Sequence, residues 1–232
     1  HSEEYIAQAD SIESEFGLAA VDLEPAELGT IDTFRFEEAR LLEYAAGLIA
    51  EGHYGKALDV VANRGHSFWV DHPTFLGRFG QWEVCRMTAE LAKAVDSARP
   101  VVNSMKGSAQ KWVQSYADEC GWFEVDRAQR TLEAWIAGME DEPEGALEKV
   151  IGQVRRDYES LLDEMAMGFS KALEAGEWSV SGVLHQTRIY PDLVEPCGSR
   201  VAYFFVDAMR YEMGADLIEQ LGNATEVLLQ PA

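Results

Sequence analysis

The spacing of apolar residues predicts a succession of helices over the first three quarters of the chain. Apolar side chains recur there every three or four residues, which places them along one face of a helix. The segments with this pattern are residues 3–16, 34–50, 54–62, 74–98, 109–119, 124–139 and 143–176. Pro100 is expected to end the fourth segment, because a proline disfavours helical backbone in the residue before it. Gly121 is expected to close the fifth as a C-cap.

The pattern changes at residue 200. Residues 201–206 form an unbroken apolar run, and Asp207, a helical pattern and a second apolar run at 227–229 follow. A continuous apolar run is typical of a strand that is covered on both faces of a parallel sheet. The order strand, helix, strand predicts a βαβ unit.

The predicted fold class is therefore mainly α, with a short βαβ unit that begins an α/β sheet. Two parallel strands cannot bury both of their faces or pair all their edges. Either the chain is part of a longer protein or another chain supplies the missing strands. We expect the first, with a sheet that is truncated at the C-terminus. The predicted division is a helical region at 1–177, a connector at 178–199 and an incomplete α/β domain at 200–232.

Composition is that of an ordinary water-soluble protein, with 47% hydrophobic and 26% charged residues. No run of about 18 apolar residues is present, so no membrane span is expected. Three cysteines, Cys85, Cys120 and Cys197, lie far apart in the sequence, which favours reduced thiols and a cytoplasmic location over a disulfide framework. The six tryptophans are interpreted as core residues, because base stacking requires a basic groove beside them.

The strongly negative net charge argues against two classes of partner, nucleic acids and anionic membranes. The chain carries 41 acidic and 19 basic residues, a formal net charge of -22. Affinity for nucleic acids and for anionic membranes comes from lysine and arginine, so neither is an expected partner of this portion. The charge permits a basic partner protein, although solubility and solvated acidic helix faces are the favoured explanation of it.

Asp207 is the best candidate for a site residue. Ligands of parallel sheets bind at the carboxyl ends of the strands, where an Asp directly after a strand would be exposed to a metal or phosphate. Asp is also a favoured N-cap residue, so Asp207 could instead cap the next helix. Arg210 could bind an anion at the start of that helix, or pair with a neighbouring carboxylate at the surface.

Residues 200–221, RVAYFFVDAMRYEMGADLIEQL, resemble the opening of the PglZ domain. The pattern of that family is an apolar strand, the sequence Asp-Ala-Leu-Arg-Tyr-Glu and a helix; here Met209 stands in place of the Leu. GWFEVDRAQRTLE at 121–133, HQTRIYPDLVEP at 185–196 and SFW at 67–69 are similar to the helical region that precedes the PglZ domain. The resemblance touches about two thirds of the chain.

This resemblance implies a bacterial protein of a bacteriophage-exclusion (BREX or Pgl) defence system, in the alkaline phosphatase superfamily. It implies a metal-dependent phosphatase or phosphodiesterase whose divalent metal, commonly zinc, is held in part by Asp207. Arg210 and Tyr211 match the motif and would neighbour the site. The nucleophile and the other ligands would lie beyond Ala232, so this portion is expected to be inactive alone. The alternative is a non-catalytic helical scaffold that binds partner proteins of the defence complex.

Overall fold

A computed structural model describes residues 2–21, 23–28, 31–72, 76–198, 200–202, 204 and 206–222. The described residues form ten α-helices, joined by turns and short 3-10 or π-helical segments. The α-helices are α1 (Ser2–Phe16), α2 (Pro25–Leu28), α3 (Arg35–Ala50), α4 (Tyr54–Arg64), α5 (Phe68–Asp71), α6 (Leu76–Ser104), α7 (Ala109–Ala117), α8 (Phe123–Ala137), α9 (Gly145–Ala175) and α10 (Tyr211–Leu221).

The seven predicted helices are confirmed as α1, α3, α4, α6, α7, α8 and α9, but two of the predicted ends are wrong. α6 continues through Pro100 to Ser104, where Val102 is still a buried apolar position that favours helical backbone. The residue after the last one in α7 is Asp118, whose N–H donates to Gln114 O, so Gly121 does not cap this helix.

The chain divides into two compact units. Unit 1 comprises residues 1–96 and 128–160, and unit 2 comprises residues 97–127 and 161–232. In unit 1, α3 and α4 pack against each other, as the short turn between them predicts. The core of unit 1 includes side chains that are at most 3% exposed, namely Leu41, Ala45, Val84, Leu91, Leu132 and Leu147.

Unit 1 also contains a buried cluster of charged and polar side chains. Arg64 and Glu38 are each 1% exposed and form an ion pair. Trp82 Nε1 donates to Glu38 Oε2 at 2.8 Å, and Ser67 Oγ lies 2.7 Å from Glu38 Oε1 and from Asp32 Oδ1. Because a buried charge is costly without partners, these contacts are what permits Arg64 and Glu38 to be buried.

The prediction of a βαβ unit is wrong, because the described residues contain no strand. Val201, Phe204 and Val206 are 43%, 81% and 57% exposed, whereas a strand in a covered sheet would bury them. A strand also needs a neighbour for its backbone N–H and C=O groups, and no strand among the described residues provides one. The predicted second strand, 227–229, lies outside the described residues. Over the residues it describes, the structure is all-α.

The expectation that the tryptophans are core residues is met only in part. Trp69, Trp82, Trp112 and Trp122 are buried, but Trp178 is 71% exposed. Trp112 and Trp122 form an edge-to-face pair in unit 2, with ring centroids 5.5 Å apart.

Among the helices that the structure describes, none is long and apolar enough to cross a lipid bilayer.

The three cysteines are expected to differ in reactivity. Cys85 is fully buried in α6, and this burial raises the pKa of its thiol to about 12, whereas Cys120 and Cys197 are exposed. Only the thiolate reacts with Ellman's reagent. We expect two thiols to react rapidly in the native protein at pH 8 and the third only after unfolding in guanidinium. Rapid reaction of three thiols in the native protein would contradict the burial of Cys85.

Candidate functional site

Asp207 lies in an exposed turn that precedes α10. Ala208, the next residue, has a φ of 57°, a left-handed conformation that non-glycine residues adopt uncommonly. The N-cap of α10 is Arg210, which has extended backbone and makes no side-chain capping bond. Asp207 is therefore not the N-cap of this helix, and its carboxylate faces solvent.

Arg210 pairs with a carboxylate, which is one of the two roles that the sequence leaves open. Its Nε lies 2.9 Å from Glu212 Oε1, and the side chain of Glu212 is fully buried while that of Arg210 is half exposed. The burial of Glu212 could not be predicted from the sequence. Acidic residues are common in the first turn of a helix, where they face the helix dipole from solvent.

Tyr211 attaches the start of α10 to the rest of unit 2. Its hydroxyl donates to Ala117 O at 2.9 Å, and its ring makes edge-to-face contacts with Tyr116 and Phe123 at centroid distances of 5.9 and 5.3 Å. Burial raises the pKa of the Tyr211 hydroxyl, and the negative charge of Asp118 adds to the shift. Tyr211, four residues after Asp207, therefore acts as a packing anchor whose hydroxyl bonds to the backbone.

Arg127 links α8 to the same helix. Its Nε lies 2.7 Å from Asp216 Oδ1, its Nη2 lies 3.1 Å from Glu219 Oε1, and its Nη1 lies 3.0 Å from Glu124 Oε1. The guanidinium carbon lies 5.2 Å from the centroid of the Phe123 ring. A guanidinium can stack on a ring and bond carboxylates at the same time. Arg127 therefore holds α10 against α8, because it stacks on Phe123 of α8 and pairs with Asp216 and Glu219 of α10.

The arrangement around Asp207 is thus one exposed carboxylate on a turn, next to a helix that is held firmly in unit 2. Within the described part of the chain, no group of three or more His, Cys, Asp or Glu side chains could hold a metal ion. A tight zinc site normally takes three or four protein ligands. The assignment of Asp207 as a metal ligand stays a prediction, and Asp207 would be only one of the three or four ligands that such a site needs.

The structure brings together two of the segments that carry the PglZ resemblance. Phe123 and Arg127, from residues 121–133, contact Tyr211 and Asp216, from residues 200–221. Sequence reasoning named Arg210 and Tyr211 but missed Arg127 and Glu212. Comparisons of the chain with protein-family models, curated proteins and solved structures give no match.

Proposed function

We propose that the chain is a helical portion of a PglZ-type bacteriophage-defence protein. The observation that carries the proposal is the contact between α8 and α10, since α10 and most of α8 lie in segments that resemble this family. Tyr211, whose ring contacts Phe123, and Arg127, which pairs with Asp216, make this contact and both belong to the resembling segments. If the motif at residues 200–221 and the preceding helical region function together, residues of the two are expected to be in contact, as these are.

The parent protein would be a metal-dependent phosphatase or phosphodiesterase of bacterial cytoplasm, with a phosphate ester as substrate. In this proposal Asp207 supplies one carboxylate ligand to a divalent metal, commonly zinc. Such a metal polarises a phosphoryl oxygen and lowers the pKa of a nucleophile. Because Asp207 alone cannot form a tight zinc site, the other ligands would come from outside the described residues. Tyr211 and Arg127 would hold α10, and with it the turn that carries Asp207.

The test is hydrolysis of bis-p-nitrophenyl phosphate by the full-length parent protein, with and without zinc. Replacing Asp207 by Ala should abolish most of the zinc-dependent turnover, because a metal ligand is lost. Asp163→Ala removes an exposed carboxylate from α9 and should leave turnover unchanged. Turnover by the chain of residues 1–232 alone would contradict the proposed need for further ligands. Equal turnover by the parent and its Asp207→Ala variant would contradict the role of Asp207.

A non-catalytic scaffold is the second candidate, and the distribution of charge favours it. Residues 1–34 carry nine Asp or Glu and no Lys or Arg. In α1 only Ala9 is buried, and Glu3, Glu4 and Glu15 are exposed. An acidic surface of this kind suits basic proteins of a defence complex. A folded, zinc-loaded parent with no hydrolytic activity would favour the scaffold over the phosphohydrolase.

A further inference from the structure

A groove of about 420 Å³ lies in unit 1, whereas Asp207 belongs to unit 2. It is formed by the first turns of α6, the end of α8 and the residues that follow α8. Its lining includes Gly77, Phe79, Gly80, Trp135, Glu140 and Asp141. A volume of this size is within the range of small-ligand and side-chain pockets.

The aromatic part of the groove is a pair of rings, an exposed Phe79 and a partly buried Trp135. The rings of Phe79 and Trp135 are 6.2 Å apart between centroids, at an interplanar angle of 62°. Phe79 is 43% exposed. Burial of an aromatic ring is energetically favourable, so a ligand or partner that covered Phe79 would gain binding energy. Trp135 Nε1 is buried and donates to no acceptor among the described residues. A buried donor of this kind costs stability unless a ligand or water supplies an acceptor.

The polar part of the groove is negative. Glu140 and Asp141 are both exposed, and no lysine or arginine is among the described residues that line the groove. The absence of a side chain on Gly77 leaves space for the carboxylate of Asp141, because a Cβ on Gly77 would lie 2.6 Å from Asp141 Oδ2. Carboxylates next to two aromatic rings attract a cation, since the faces of aromatic rings also carry negative potential.

We propose that this groove binds the guanidinium group of an arginine in a basic segment of a partner protein. Guanidinium stacks on aromatic rings and bonds carboxylates through paired N–H groups, so one group can use both parts of the groove. The net charge of -22 attracts such a segment over longer distances. The proposal is independent of the phosphohydrolase function, because it uses residues of unit 1 only.

The experiment is a titration of the chain, followed through its tryptophan indole N–H signals by ¹⁵N NMR, with the peptide acetyl-Gly-Gly-Arg-Gly-Gly-amide. The indole signal of Trp135 is assigned from its loss in Trp135→Phe and should shift on binding. A peptide with citrulline in place of arginine has nearly the same shape without the charge, and should bind at least about tenfold more weakly. Binding should weaken further as sodium chloride rises, because salt screens exposed charges.

Two variants test the groove without disturbing the core, since both residues are exposed. Phe79→Ala and Glu140→Gln should each weaken binding of the arginine peptide several-fold and leave the circular dichroism spectrum unchanged. Trp178→Ala and Glu174→Gln, which remove an exposed ring and an exposed carboxylate from unit 2, should leave the affinity unchanged. Equal affinity for the citrulline peptide, or unchanged affinity in both groove variants, would overturn the proposal. Binding of free agmatine as tight as that of the peptide would overturn the assignment to a partner protein.

Discussion

Replacing Arg64 by Met is expected to lower the free energy of unfolding by about 3–5 kcal/mol, the usual cost of leaving a buried charge without its partner. Arg64 contributes to three parts of unit 1 at once. Its Nη1 donates to Ile31 O at 2.9 Å, its Nη2 donates to Ser67 Oγ at 3.0 Å, and it pairs with Glu38. Met keeps an unbranched apolar stem but lacks the guanidinium group, so the loss combines the charge and hydrogen bonds of Arg64 with part of its volume.

The carboxylate left behind accounts for most of the cost. Glu38 has no exposed side-chain area, so water cannot replace the guanidinium without rearrangement of the core. Trp82 and Ser67 would still contact it, but neither carries a compensating charge. Burial also lowers the pKa of Arg64, while the charges of Asp32 and Glu37 act in the opposite direction. The guanidinium is therefore retained in the core by the carboxylates around it.

Urea denaturation followed by circular dichroism measures the effect, and Arg86→Met is the matched control. Arg86 also contacts two carboxylates, Glu83 and Glu90, but its side chain is 35% exposed. Its loss should cost at most about 1 kcal/mol, as for other solvated ion pairs. Adding Glu38→Gln to Arg64→Met should recover part of the stability, because the unpaired charge is then removed. Equal losses for the two arginines, or no recovery in the double variant, would contradict the argument.

The helices of this chain could be predicted because their apolar stripes are long and regular. The stripe of α9 includes Leu147, Val150, Ile151 and Val154, and all four are buried as their spacing predicts. Burial of one face is the physical cause of both the pattern and the helix, so the pattern is a reliable guide. The last turn of α6 is the exception, since packing of Val102 outweighs the local preference of Pro100 to end a helix.

The apolar run at residues 201–206 shows where the pattern is ambiguous. A short run of apolar residues does not reveal how many strands would pair with it or where they lie in the sequence. A strand forms only where a neighbouring strand pairs with its backbone. The described residues supply no such neighbour, and Phe204 is 81% exposed. The prediction of the strand failed because it inferred a sheet from one segment. The position of Asp207 at a strand end was inferred from the same segment.

The contacts around the candidate site could not be predicted, because they join residues that are distant in sequence. Arg127 and Glu219 are 92 positions apart, and Tyr211 and Ala117 are 94 positions apart. An arginine or a glutamate on a helix is usually solvated, so neither Arg127 nor the buried Glu212 stands out in the sequence. The groove at Phe79 and Trp135 was missed for a related reason, since both residues match a core stripe.

Gly168→Ala is expected to lower the free energy of unfolding by about 1–3 kcal/mol, the usual cost of an added methyl group in a packed interior. Gly168 lies in α9, where an Ala would normally be the better helix former. A Cβ at this position would overlap Cη2 and Cζ2 of Trp112 and lie 3.2 Å from Cζ3. Trp112 is 6% exposed and packs edge-to-face on Trp122, so its rigid ring cannot move aside at low cost.

Gly152→Ala in the same helix is the matched control and should change stability in the opposite direction. The nearest atom to a Cβ at Gly152 is Arg156 Nη1 at 3.6 Å, which is ordinary van der Waals contact. Without an overlap, the substitution should raise the free energy of unfolding by about 0.5–1 kcal/mol through helix propensity alone. The two glycines therefore separate the effect of packing from that of backbone entropy.

A double-mutant cycle decides whether Trp112 causes the loss at Gly168. Trp112→Phe shortens the ring at the point of overlap, so Gly168→Ala should cost less in that background, with a coupling of about 0.5–3 kcal/mol for side chains in contact. The same cycle between Trp112→Phe and Gly152→Ala should be additive. Additive behaviour at both glycines would mean that the ring of Trp112 does not limit the space at Gly168. It would also remove the reason for a glycine at this turn of α9.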